Sequence, residues 1–360
     1  MTVHDRPIEQ FLSPPKPDPA GASTHVHPVE TSVEGPRPKT YREFINSRVG
    51  EEMEATAETL EPFYGLRGIE KYERFLDCKS RAYFARSRTT GEIRVMGSAC
   101  RDRWCPHCSR ARAAEVREQV TEWLHSVRNP RMITFTLKHS NAVLKDQVTG
   151  LYKCFRKWRL LPEVKRSIVA GVWFLQIKRS SRSGNWHPHL HCLMVGKFMP
   201  WKFYRQTWLK VTGTSHVVNV EYIRNLDKAA DYVARYVSRP AMLKDYTLAD
   251  RLEIVDTCHG RRLFGTWGRK GTRPMIKRVK SDLSDWQRIA DWQYIYRTKD
   301  TDERSRRIWR AWLTGQPVSE EDISILVPAR PSGHPPPHVY QPDLFTADRP
   351  PGAGPDIFHL

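Results

Sequence analysis

The sequence has no apolar run approaching the roughly 20 residues needed to span a bilayer, and its first residues, MTVHDRPIEQFLSPPKPDPA, lack the apolar stretch of a secretory signal. Both absences point to a cytoplasmic protein without a membrane partner. No internal repeat is present. Acidic residues are short in supply, 40 against 59 lysines and arginines, which gives a formal charge of +19. Such an excess calls for a polyanionic partner, and nucleic acid is the commonest one. The basic residues are spread along the chain and not gathered on one amphipathic helix, which argues against anionic membrane. Cysteine is sparse: seven residues, an odd number, with four of them grouped. That suits a reduced compartment and a metal site better than a disulfide framework.

Proline crowds both ends. Residues 1–40 carry Pro14, Pro15, Pro17, Pro19, Pro28, Pro36 and Pro38 with no apolar periodicity, and residues 328–360 behave alike. Both read as disordered tails. The folded part spans about 45–325. Within it, Ser109 to Val127 predicts a helix and Met132 to Leu137 a buried strand. Asn141 is expected to cap a helix with apolar residues at Leu144, Val148, Leu151, Phe155 and Trp158. Strands follow at Val172 to Ile177 and Leu190 to Val195, separated by the turn-like SSRSGN. Then come a helix at Trp201 to Val211, a strand at Val217 to Ile223 and a helix at Leu226 to Val237. This order predicts an α+β fold: an antiparallel sheet with helices on one face.

Cys100, Cys105 and Cys108 stand in CRDRWCPHC, with Cys78 22 positions before the first of them. Tetrahedral zinc takes four soft ligands, and a pair two residues apart on a turn supplies half of them. Cys78 is the preferred fourth ligand and His107 the alternative. Arg101, Arg103, Arg110 and Arg112 would surround this knuckle and suit phosphate contacts. Cys154 and Cys192 read as ordinary core residues, and Cys258 beside His259 is a weak metal pair.

Residues 186–191 read WHPHLH. On a strand, alternate side chains share a face, so His187, His189 and His191 could project together. Pro188 interrupts pairing near His187, which leaves His189 and His191 as the firmer pair. The neighbouring strand, GVWFLQIKR, offers Gln176. Two imidazoles and an amide oxygen make a site for Mg²⁺ or Mn²⁺ with open positions for phosphate oxygens. Residues 231–239 read DYVARYVSR, which puts Tyr232 and Tyr236 one turn apart on a helix face. Lys228, Arg235 and Arg239 stand nearby. A free tyrosine titrates near pH 10, so a metal and arginines would be needed to favour its phenolate.

These features together resemble the HUH endonucleases, named for two histidines around one hydrophobic residue, over roughly 95–270. ITFTL at 133–137 looks like the family's first strand motif, HPHLHCLMVG at 187–196 like its metal motif, and YVARY at 232–236 like the tyrosine motif of its two-tyrosine branch. The CRDRWCPHC knuckle resembles that of rolling-circle plasmid replication initiators and of rolling-circle insertion-sequence transposases. RRLFGTWG at 261–268 is similar to a segment of plasmid initiators. The resemblance implies a ferredoxin-like palm, with His189 and His191 holding the metal and Gln176 where initiators often have glutamate. It implies a tyrosine that attacks the scissile phosphate, leaving a 5′-phosphotyrosyl link and a 3′ hydroxyl that primes synthesis. Tyr236 aligns with the tyrosine of single-tyrosine relatives. Tyr232 stands where some of them carry a glutamate that activates water, so termination is expected by transfer to tyrosine.

The expected organisation is therefore a tail (1–40), a zinc knuckle and helical DNA-binding region (45–128), a nickase domain (129–280), a helical extension (281–325) and a proline-rich tail (328–360). In that last tail QPDLF, with Gln341, Leu344 and Phe345, resembles the pentapeptide by which bacterial proteins bind the replicative sliding clamp. The expected function is a metal-dependent, site-specific DNA endonuclease and strand transferase that starts rolling-circle plasmid replication. Its expected partners are single-stranded origin DNA and the host replication machinery. A transposase with the same chemistry and a non-catalytic zinc-dependent regulator are the alternatives. Trp104 and Trp186 are candidates to stack on single-stranded bases.

Overall fold

The structure, a computed structural model, describes residues 40–319 apart from 47–48, 181–182, 238, 270 and 279–282. Residues 1–39 and the clamp-like motif at Gln341, Leu344 and Phe345 lie outside the described residues.

Three helices come first: α1 (Tyr41–Asn46), α2 (Gly50–Gly65) and α3 (Glu70–Leu76). A hairpin of β1 (Tyr83–Ser87) and β2 (Ile93–Met96) follows. The long helix α4 (Pro106–Ser126) opens on a proline, tolerated there because the first turn has no use for that N–H. Next are β3 (Arg131–Thr136), α5 (Leu144–Leu160), α6 (Pro162–Ser167), β4 (Ile168–Gln176), β5 (His189–Gly196), α7 (Trp201–Thr212) and β6 (Val218–Tyr222). The chain continues through α8 (Leu226–Ala234), α9 (Leu248–Cys258), β7 (Phe264–Gly268), β8 (Trp286–Asp291), α10 (Trp292–Thr298) and α11 (Glu303–Thr314). The sequence order strand, helix, strand, strand, helix, strand, helix from β3 to α8 is as expected, with the short α6 added.

Asn141 does not cap α5. The helix starts at Leu144, whose N–H is met by Glu253 Oε1 from α9 at 2.8 Å, while Asn141 receives a hydrogen bond from Asn185. A tertiary carboxylate has taken over the local capping role.

The central sheet runs β6-β3-β5-β4-β7, antiparallel at every pairing. Ile133, Phe135, Leu190 and Cys192 point to one face, under α5 and α7, where Phe135 packs on Trp158 and Trp208. Val172, Phe174, Leu193 and Val195 point to the other, under Val116, Val120 and Leu124 of α4 and Ala230 and Val233 of α8. The α+β antiparallel architecture stands, but helices cover both faces and not one. The reason is legible in β4 and β5, whose near-continuous apolar runs (IVAGVWFL, LHCLMV) are those of strands buried on both sides.

The RRLFGTWG segment supplies β7. Glycines make the pairing with β4 fit: the Trp267 indole occupies the space where a Cβ would stand on Gly171, and the Trp173 indole does the same at Gly265.

A second sheet, β2-β1-β8, joins distant parts of the chain. Its core is aromatic: Phe84, Trp292, Trp309 and Trp312 with Tyr41 and Phe44 of α1. The segment from 281 expected as a helical extension thus holds helices α10 and α11 and also a strand. That strand, WQRIAD, pairs with β1.

Candidate active site

The sheet register assembles the site. His191 lies opposite Thr134 of β3 and Phe174 of β4, and His189 opposite Thr136 and Gln176. Paired residues share a face, so both histidines and Gln176 rise on the α8 side of the sheet. His191 is 5% exposed and Gln176 6%. Thr134 Oγ1 contacts His191 Nδ1 at 3.1 Å, which fixes the ring and turns Nε2 toward Gln176 Oε1, 2.8 Å away. Gln176 Nε2 in turn donates to the Tyr236 hydroxyl at 2.7 Å.

Both tyrosines stand against the same imidazole. The Tyr236 ring is stacked on His191 with centroids 5.4 Å apart, and Tyr232 meets His191 edge-on at 5.2 Å. Asn225 caps α8 by accepting from the Lys228 N–H, and the helical turn places Tyr232 inside α8. Tyr236 lies in the turn just after it, still one turn from Tyr232 and 5.6 Å from it between ring centroids.

Burial sets the charge state. It pushes His191 down to about 3 and His189, with help from His187, down to about 2, so both are neutral at physiological pH and have lone pairs to offer. It also raises the Tyr232 and Tyr236 phenols, Tyr236 further because Tyr232 lies against it. The donor set of two neutral imidazoles and an amide oxygen fits a divalent cation. Ligand atoms about 2.1 Å from an octahedral ion lie about 3 Å apart when adjacent, close to the separation of His191 Nε2 and Gln176 Oε1. Thr134 escaped the sequence reading: alternation in MITFTL sets it on the face opposite Ile133 and Phe135, and only the β3–β5 register puts it beside His191.

The four cysteines expected at the knuckle do converge. Their sulfur atoms all lie within 4.8 Å of one another. Cys78 reaches Cys108 at 3.6 Å and Cys105 at 3.7 Å, and Cys100 reaches Cys108 at 3.7 Å. Sulfur–sulfur hydrogen bonds hold the Cys78 thiol well down and push Cys100 well up. The four cannot ionise together unless a cation is present, and four soft donors at this spacing fit zinc. His107 stands apart, with Nε2 2.9 Å from Asn46 Oδ1. Cys192 and Cys258 are fully buried core residues. No metal-type group of three or more His, Cys, Asp or Glu includes Cys258 and His259 among the described residues.

Of the residues expected to touch DNA, Lys228 and Arg235 are exposed beside the tyrosines, Arg235 over the Tyr232 ring at 5.8 Å. Arg101 is exposed on a left-handed backbone (φ 58°) at the knuckle. Arg103 and Arg239 are committed elsewhere. Arg103 donates to the carbonyls of Cys258 (2.9 Å) and Arg261 (3.0 Å), bracing the end of α9. Arg239 is partly buried in an ion pair with the buried Glu52 of α2.

Trp104 and Trp186 do not offer their rings to bases either. They are 2% and 4% exposed, and the Trp186 indole donates to Glu253 at 2.7 Å. Trp186→Ala is expected to cost about 3–5 kcal/mol of stability, read as a fall in the urea midpoint. An unchanged midpoint would return Trp186 to the list of stacking candidates.

A family model described as "Replication protein" matches residues 94–317, more than half of the chain. The chain belongs to that replication protein family. "Protein rep" of Bacillus amyloliquefaciens is 27% identical over 143 residues, 38% of this chain and 41% of that protein. "Protein rep" of a Bacillus species is 26% identical over 140 residues, 37% of this chain and 44% of that protein. The chain thus spans less than half the length of these curated relatives. No solved structure matches it. Among the described residues no helix is long and apolar enough to cross a membrane.

Proposed function

We propose that the chain initiates rolling-circle plasmid replication by nicking single-stranded origin DNA with a tyrosine nucleophile. One observation carries this reading: the Tyr236 hydroxyl is hydrogen-bonded to Gln176, whose other amide atom faces His191 Nε2. A nucleophile and a metal-type donor set thus share one side chain. Membership of the replication protein family supports the same reading.

His189, His191 and Gln176 would hold Mg²⁺ or Mn²⁺, which when bound polarises the oxygens of the scissile phosphate. Gln176 and the His191 ring orient the Tyr236 phenol. Its oxygen attacks phosphorus and the bond to the 3′ oxygen breaks. The phenol gives up its proton, and the departing 3′ oxygen gains one. The products are a 5′-phosphotyrosyl link and a 3′ hydroxyl, with the phosphodiester count unchanged. Tyr232, against the same imidazole, is placed to accept the second transfer. Lys228, Arg235 and Arg101 would take backbone phosphates. Cys78, Cys100, Cys105 and Cys108 would hold a structural Zn²⁺. The clamp-like Gln341, Leu344 and Phe345 would recruit host replication proteins in the cytoplasm.

The test is a Mn²⁺ cleavage assay on single-stranded origin DNA, read as a covalent adduct on a denaturing gel. The wild type forms the adduct, Tyr232→Phe and Tyr236→Phe show which phenol starts, and the double variant forms none. Tight origin binding without any wild-type adduct would leave a non-catalytic DNA-binding regulator as the better reading.

A further inference from the structure

The β4–β5 ladder continues past its last strand residues. Beyond the Gln176–His189 pair, the His187 N–H donates to the Lys178 carbonyl at 2.7 Å, and Arg179 bridges Trp186. Lys178 therefore stands opposite His187 in the same register. Strand alternation sends its side chain to the face that carries Gln176 and His189. The His187 ring lies against His189, centroids 4.4 Å apart, and against His139 from the loop after β3, at 4.0 Å. Lys178 and His139 are exposed while His191 is buried, so this row of side chains leads from solvent to the metal-type donors.

The row contains no acid. The charges that reach His187, His189 and His191 are those of the other imidazoles and of Lys178. No carboxylate of the described residues pairs with the Lys178 ammonium. A cation left unneutralised beside imidazole donors is suited to an anion that is itself a strong hydrogen-bond acceptor. Lys178 lies two residues from Gln176, about 7 Å along the strand, which is about one nucleotide step of an extended DNA strand.

We propose that Lys178, with His187 and His139 beside it, forms a phosphate subsite that holds the DNA backbone next to the scissile phosphate. The inference rests on the nickase reading for the identity of the anion, a phosphodiester, but not for the existence of the subsite.

The test uses the full chain and a short single-stranded origin oligonucleotide, with binding measured by fluorescence anisotropy in EDTA across a salt series. Lys178→Met is expected to weaken binding about tenfold and to flatten the log–log salt slope by about 0.7. Lys178→Arg is expected to keep both. Neutral methylphosphonates, placed one phosphate at a time, should weaken wild-type binding at a position beside the nick and have no further effect there in Lys178→Met. Wild-type affinity and slope in Lys178→Met would overturn the subsite, whatever the adduct assay shows. Interference that is lost with Lys178, in a protein that forms no adduct, would keep the subsite and remove the nickase reading.

Discussion

His191→Ala is expected to lower adduct formation in Mn²⁺ by about a thousandfold while leaving oligonucleotide binding in EDTA near the wild-type value. The size follows from what the ring does. His191 Nε2 faces Gln176, its Nδ1 is held by Thr134, Tyr236 stacks on the ring and Tyr232 meets it edge-on. Metal polarisation of a phosphate oxygen is worth several kcal/mol, and about 4 kcal/mol corresponds to a thousandfold in rate. The substitution should also abolish measurable Mn²⁺ binding by calorimetry. Thr134→Val should cost less, about ten- to a hundredfold, since it frees the ring without removing the ligand atom. An adduct formed at the wild-type rate by His191→Ala would remove the histidine pair from the chemistry.

With the structural zinc proposed for the cysteine cluster, stripping the metal is expected to unfold the region around it. Cys78 follows α3, Cys100 follows β2, and Cys105 is the N-cap residue of α4, so the cluster ties three elements that otherwise touch lightly. Structural zinc contributes about 10–16 kcal/mol of apparent binding energy in small domains, more than most domains have in total stability. A strong chelator, or Cys105→Ser, should release zinc and lower helix content and the denaturant midpoint together. Cys154→Ser should do neither, because Cys154 stands apart from the cluster. A midpoint unmoved by chelation would mean that the four thiols pack without an ion.

The parts legible in the sequence are those written in local periodicity. The alternation of HPHLH put His189 and His191 on one strand face, and the stripe from Leu144 to Trp158 gave the buried side of α5. Periodicity says which side of an element is apolar, not what will cover it. The placement of α4 and α8 on the second face, and the pairing of β1 with β8, are set by partners far away in the chain. The same limit explains the arginines. Arg103 and Arg239 look like any others near a basic motif, and only the carbonyls of Cys258 and Arg261 and the Glu52 carboxylate decide that they brace the fold. Trp104 and Trp186 likewise read as amphipathic until the core closes over them.

The β1–β8 pairing also sets a timetable for synthesis. Ser87 and Asp285, hydrogen-bonded at that seam, are 198 residues apart. At about 5–20 residues per second the interval is about 10–40 s. In that time every strand of the central sheet leaves the ribosome before the last strand of the small one does. A chain halted ahead of Trp286 would hold His189, His191 and Tyr236 on their completed sheet. It would also present β1 as an open edge, ready to pair with the same edge of another nascent chain.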